Sequence, residues 1–140
     1  MARFTNVAAQ TVAANQNVLF SATEVCGNCS ILHRNGSGLV TLRGITNQCR
    51  ARYRISFGGN IAIPTGGLIS PISLTIAING EPDSSTSMIV APAALNAFQN
   101  VSSTTYVDVP AGCCSQISVR NTSAQAITVQ NANLIIERVA

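Results

Sequence analysis

"QCRARYRISF", residues 48–57, sets Arg50, Arg52 and Arg54 on every second position, with Cys49, Ala51, Tyr53, Ile55 and Phe57 between them. Strict alternation is the period of a β-strand with one dry face and one wet face. The apolar set is therefore expected to face a core, with Cys49 among it as a small buried hydrophobe. The arginines then share the opposite face, about 7 Å apart along the strand. Three roles stand open for that row. It is a solvated outer face, a contact with Asp108, Glu137 or carbonyl groups of a neighbouring subunit, or a ligand patch for an anionic glycan or nucleic acid.

The rest of the chain repeats this grammar. No helical period is sustained, whereas runs rich in Val, Ile and Thr recur about every 8 to 12 residues between Gly, Pro, Asn and Ser clusters. Strands are predicted at 7–20 (interrupted at "AANQN"), 30–33, 38–45, 49–58, 71–79, 87–91, 98–109, 115–121, 126–129 and 132–139. The breakers "RNGSG", "FGGN", "PTGG", "NGEPDSS", "PAG" and "NTSAQ" separate them. About ten short strands in one domain favour a two-sheet antiparallel jelly-roll sandwich, because two sheets bury each other's apolar faces. A helical turn has one candidate place, "VAPAALNAF", and Pro92 keeps it short. Residues 1–16 read as a first strand or an intersubunit arm, and 17–140 as the jelly-roll domain.

Composition narrows the function. Only 9% of the 140 residues are charged while 46% are hydrophobic, and mean hydropathy is +0.31; typical domains carry about 25% charged residues. Surplus apolar surface is expected to meet other subunits. The net charge of +3 comes from eight arginines and no lysine against five acids. That is too scattered for a nucleic-acid binder, but arginine suits interfaces better than a strongly hydrated ammonium. The N-terminus has no apolar core segment of a secretory signal. The uncharged stretch 55–80 is broken by "GGN", "PTGG" and "SP", which argues for strands and a loop rather than a membrane helix.

Four segments in order carry a resemblance: "ARYRISFGGNIAI", "SLTIAINGEP", "SSTTYVDVPAG" and the closing "ANLIIERVA". Together, over roughly 38–140, they resemble the trimeric jelly rolls of the tumour-necrosis-factor and complement-globular-head type. Within that type they look most like the C-terminal domain of collagen-like spore-surface (exosporium, BclA-type) glycoproteins. The matching residues are Tyr53, Ile55 and Phe57, then Leu74, Ile76, Asn79, Gly80 and Pro82, then Ile135, Ile136, Val139 and Ala140. The resemblance implies a homotrimer. Two features depart from it, since no Gly-X-Y stalk precedes the domain and the chain holds five cysteines. Similar small proteins occur as phage virion surface proteins, so the resemblance leaves the biological setting open.

The cysteines are Cys26 and Cys29 in "VCGNCS", Cys49, and Cys113 and Cys114 in "AGCCSQ". A zinc site is disfavoured, because the C-x-x-C lacks a second such pair and adjacent cysteines chelate one tetrahedral ion poorly. A redox role for "CGNC" would need a helix N-terminus to lower the thiol pKa. Disulfides are the better reading for Cys26, Cys29, Cys113 and Cys114, all in predicted loops. Disulfides without an export signal point to a protein released by cell lysis, such as a spore-surface or virion component.

Catalysis has little to stand on. His33 is the only histidine, and its turn setting implies a solvated side chain. Glu81 and Asp83 lack a third acidic ligand for calcium, and turn chemistry accounts for Asp83. No phosphate loop, cofactor or metal is expected. The sequence thus points first to a non-enzymatic structural subunit, a homotrimer in the extracellular surface of a spore, filament or virion. A trimeric binding module for a glycan or receptor is the alternative, presenting loops such as "NGEPDSS" or the arginine row.

Overall fold

The computed structural model describes residues 2–25 and 30–139, with Val25 described by its backbone alone. In chain order the strands are β1 (Ala2–Asn6), β2 (Gln10–Val12), β3 (Ala22–Val25), β4 (Ile31–His33), β5 (Val40–Arg43) and β6 (Arg50–Ala62). They continue as β7 (Ile72–Ile78), β8 (Glu81–Pro82), β9 (Met88–Val90), β10 (Gln99–Pro110), β11 (Cys114–Asn121) and β12 (Ile127–Arg138). The first sheet runs β10-β6-β12-β1-β3, with β2 also on β12; the second runs β4-β5-β11-β7-β8, with β9 also on β7. Every strand pair is antiparallel. The result is the two-sheet sandwich expected from the alternating pattern.

The inward rows of the two sheets make the core. From β6 come Ala51, Tyr53, Ile55 and Phe57, and opposite them stand Val40, Leu42, Leu74, Ile76, Ile117 and Val119, all fully buried or nearly so. The Phe20 and Phe57 rings meet edge to face at 6.4 Å, the geometry that ring quadrupoles favour. The buried Tyr53 closes one end of this core, its hydroxyl donating to the Arg43 carbonyl at 2.6 Å. Near the other end, the buried Asn121 side chain donates to the carbonyls of Val12, Ala13 and Gln125 and accepts from Ser123 N–H. One side chain thereby ties together backbone groups of β2, the turn after it and the β11–β12 connection.

Two glycines are demanded by geometry. At the β7–β8 hairpin, Asn79 and Gly80 both have positive φ, 53° and 83°, which is what a two-residue type I′ turn requires. At Gly44 a Cβ would lie 2.1 Å from the Pro110 carbonyl oxygen. That close approach lets Gly44 N–H donate to Cys113 O at 2.8 Å while Gly112 N–H donates to Gly44 O at 3.0 Å. The β5–β6 and β10–β11 loops are thereby clamped together at one end of the sandwich.

Several expectations are corrected. The first strand starts at Ala2 rather than Val7: Ala2 and Phe4 are the buried row, and Val7 is 68% exposed. Residues 2–6 and 10–12 pair with β12 of the same chain. The predicted strands 126–129 and 132–139 are one strand, because Asn131 takes a positive φ of 56° inside a bulge that the ladder to β6 absorbs. Strands β3 and β8 were not foreseen; "ATEV" is short and half polar, and β8 has two residues. The helical turn falls at Ser84–Thr86, capped by Asp83, and not in "VAPAALNAF". Cys49 is exposed, not core. It has the inward parity of Ala51 in sequence but lies just before β6, in a bend where the strand's alternation of faces does not yet hold.

A candidate functional site on the outer face of the first sheet

Antiparallel pairing fixes what stands beside each arginine. Arg52 lies opposite Asp108 and Arg54 opposite Tyr106 on β10, while Arg54 lies opposite Glu137 on β12. Side chains opposite one another share a face at about 5 Å, so the row meets two carboxylates. Arg52 grips Asp108 with two contacts, Nε to Oδ1 at 2.7 Å and Nη2 to Oδ2 at 3.2 Å. Arg50 Nε reaches the same carboxylate at 3.1 Å, and Arg54 Nη2 reaches Glu137 Oε2 at 2.6 Å. Asp108 and Glu137 are thus partners of the row within one chain.

These pairs are exposed, so each is worth little on its own. The Asp108 carboxyl is nevertheless held below the usual carboxylate range, chiefly by the Arg52 hydrogen bond, against a smaller desolvation effect and with added pull from the charges of Arg52 and Arg50. The same bond raises Arg52. A depressed carboxylate stabilises the fold above the unfolded value, about 3.9, and that contribution is lost as pH falls through the folded value. Thermal melts of wild type and Asp108→Asn are accordingly expected to differ near pH 6 and to converge as pH drops below about 3, the gap shrinking in high salt. A gap unchanged down to pH 2 would contradict the pairing.

Beside the row a recess of about 520 Å³ is lined by Arg52, Tyr106, Asp108 and Val139. Tyr106 is 60% exposed there. Further along the face the strands present small polar side chains, with Ser56 hydrogen-bonded to Thr104, Asn100 to Asn60 and Arg3 to Asn133. The face thus has an aromatic, charged end and a flat, mostly uncharged remainder.

Other candidate residues fall elsewhere. His33 is not the solvated turn residue expected from sequence. Its ring packs on Phe4 at 4.4 Å and Phe20 at 6.4 Å, and Nε2 contacts the Ser37 carbonyl at 3.0 Å. Asp83 Oδ1 accepts from Ser85 N–H and Oγ, a capping role. Among the described residues no group of three or more His, Cys, Asp or Glu is placed to hold a metal, and no helix is long and apolar enough to cross a membrane. Cys113 and Cys114 are unbonded and exposed, Cys114 opening β11 rather than lying in a loop. Cys26 and Cys29 lie outside the described residues. Tyr106 is the site residue that the sequence reading missed. Its signal was an aromatic in an outward row otherwise made of Asn100, Ser102, Thr104, Asp108 and Pro110.

No family model and no curated protein matches the sequence. Solved structures do match the fold. Murine APRIL at pH 5.0 aligns with a TM-score of 0.69 at 11% identity, over 99% of this chain and 98% of that one. The Eiger TNF of S. frugiperda gives 0.65 at 12% identity, over 99% and 91%. The globular domain of zebrafish complement 1qA protein gives 0.63 at 11% identity, over 96% and 94%. This chain has the jelly-roll fold seen in tumour-necrosis-factor and complement-globular-head structures. At such identities the likeness is one of fold, and the site's role has to be argued from the site.

Proposed function

We propose that this protein is a non-enzymatic structural subunit, a homotrimer of jelly rolls contributing to an extracellular surface assembly of a spore, filament or virion. The observation that carries the reading is the outer face of β10, β6 and β12. Both of its carboxylates are paired within the chain, most of its other side chains are small and polar, and arginine remains in excess, so a second subunit can approach closely without burying a lone acid and can offer carbonyl groups to the surplus guanidinium. Tyr106 supplies the exposed aromatic anchor that interfaces favour. A closed threefold ring covers one such face per subunit and leaves none over.

Light scattering of the eluting protein at micromolar concentration is expected to return about three times the chain mass of 14.5 kDa. Tyr106→Asp, placing a carboxylate in the covered face, is expected to shift that mass to a monomer with an unchanged β circular-dichroism spectrum. A wild-type monomer would overturn the reading.

The recess beside Tyr106 favours a second reading, a module that binds an acidic sugar through Arg52 and the ring. Glycan-array binding that disappears when Arg50, Arg52 and Arg54 are all replaced by Ser would support it over the first.

A further inference from the structure

Cysteine is among the residues most often fully buried, yet Cys49, Cys113 and Cys114 are all exposed and unbonded. They also sit together at one end of the sandwich. Ala111 N–H, at the β10–β11 turn, donates to Cys49 O at 3.0 Å, and Cys113 O accepts from Gly44 in the clamp described above. Cys114 lies opposite Arg43, the last residue of β5. Neighbouring side chains of an extended strand point to opposite sides, so Cys113 and Cys114 are poorly placed to close on each other.

We propose that this end is a covalent joint to a second copy of the chain, through disulfides made by Cys113 or Cys114 with Cys49 as a third thiol. A second copy is the fitting partner because two such ends, related by a twofold axis, present thiols to thiols without needing any other complementary surface. Cys113 and Cys114 lie at the end of the sandwich, and Cys49 borders the face assigned to the trimer only at its rim, in a recess shared with Arg50 and Arg52, so the joint would link one trimer to the next. It goes beyond the trimer reading, although its growth into chains of trimers rests on that reading.

The chemistry balances with a small disulfide as oxidant. One cysteine thiolate attacks oxidised glutathione and releases one glutathione; the thiolate of the second copy then attacks the mixed disulfide, releases the other glutathione and leaves the intermolecular S–S bond. Overall two protein thiols are oxidised and one glutathione disulfide is reduced to two thiols.

The test exposes the reduced, full-length protein to oxidised glutathione and runs it on denaturing gels without reductant. Bands at two or more chain masses are expected, collapsing to one with dithiothreitol. Cys113→Ser with Cys114→Ser should lower their yield at least tenfold, while Cys26→Ser with Cys29→Ser should leave it intact. No multimer bands, bands surviving removal of Cys49, Cys113 and Cys114, or a monomer that has lost its titratable thiols to an internal bridge would each overturn the joint. Light scattering of the same reduced sample reads the trimer independently, so failure of one proposal is distinguishable from failure of the other.

Discussion

Tyr53→Ala is expected to destabilise the protein by about 3–5 kcal/mol, the range for deleting a large buried aromatic. Tyr53 is fully buried and sits where the two sheets close over the clamped end. Alanine would open a cavity among Ala51, Ile55 and their facing residues, and the Arg43 carbonyl would lose its donor. Tyr53→Phe separates the two effects. It keeps the ring and is expected to cost only about 1 kcal/mol, with some added penalty if the bared carbonyl stays dry. Urea melts of the three proteins check this, read as shifts in midpoint at constant slope. Equal losses for Ala and Phe would show that the hydroxyl and not the packing holds that end.

Asn121→Leu is the second large loss expected, on the order of 3–5 kcal/mol, since each buried group left unpaired costs about 1–3 kcal/mol. Leucine is close in volume, so the effect isolates polarity from packing. The Val12 and Gln125 carbonyls and the Ser123 N–H lose their shared partner at once, while the Ala13 carbonyl keeps the Gln16 N–H. Asn121→Asp tests the same node by sign. A carboxylate would face carbonyl oxygens where the amide donated, so that variant is expected to recover stability as acid protonates it. Melts at pH 4 and pH 7 distinguish the two, and a pH-independent loss would contradict the assigned amide orientation.

The sheet that holds the site was readable in the sequence where burial follows period two. Ala51, Tyr53, Ile55 and Phe57 are buried as the alternation of "QCRARYRISF" requires. The Asn-Gly turn and the aliphatics Leu74 and Ile76 before it likewise carry their own geometry. What failed was information that no local window holds. Cys49 continues the inward parity in sequence, and only the point where the chain enters β6 decides that it lies outside the alternation. Residues 130–131 read as a break because a bulge with one left-handed Asn looks like a turn until its partner strand is known. The ion pairs join residues 56 and 83 positions apart, so they depend on a register set by the whole sheet. Residue types marked Asp108 and Glu137 as partners, but not which arginine each would meet across the sheet.

Strand β12 lies between β6 on one side and β1 with β2 on the other, and the ribosome makes it after all three. Until it emerges, β1 and β6 have no common neighbour, and the first sheet exists only as separate pieces with open edges. Ala2 finds its place only opposite Ile136. Folding is therefore expected to be a late, slow event governed by distant pairing, with a window in which unpaired edges are exposed to aggregation. The same arrangement locks the early strand once β12 is seated: peeling β1 away means breaking its ladder to a central strand of the finished sheet.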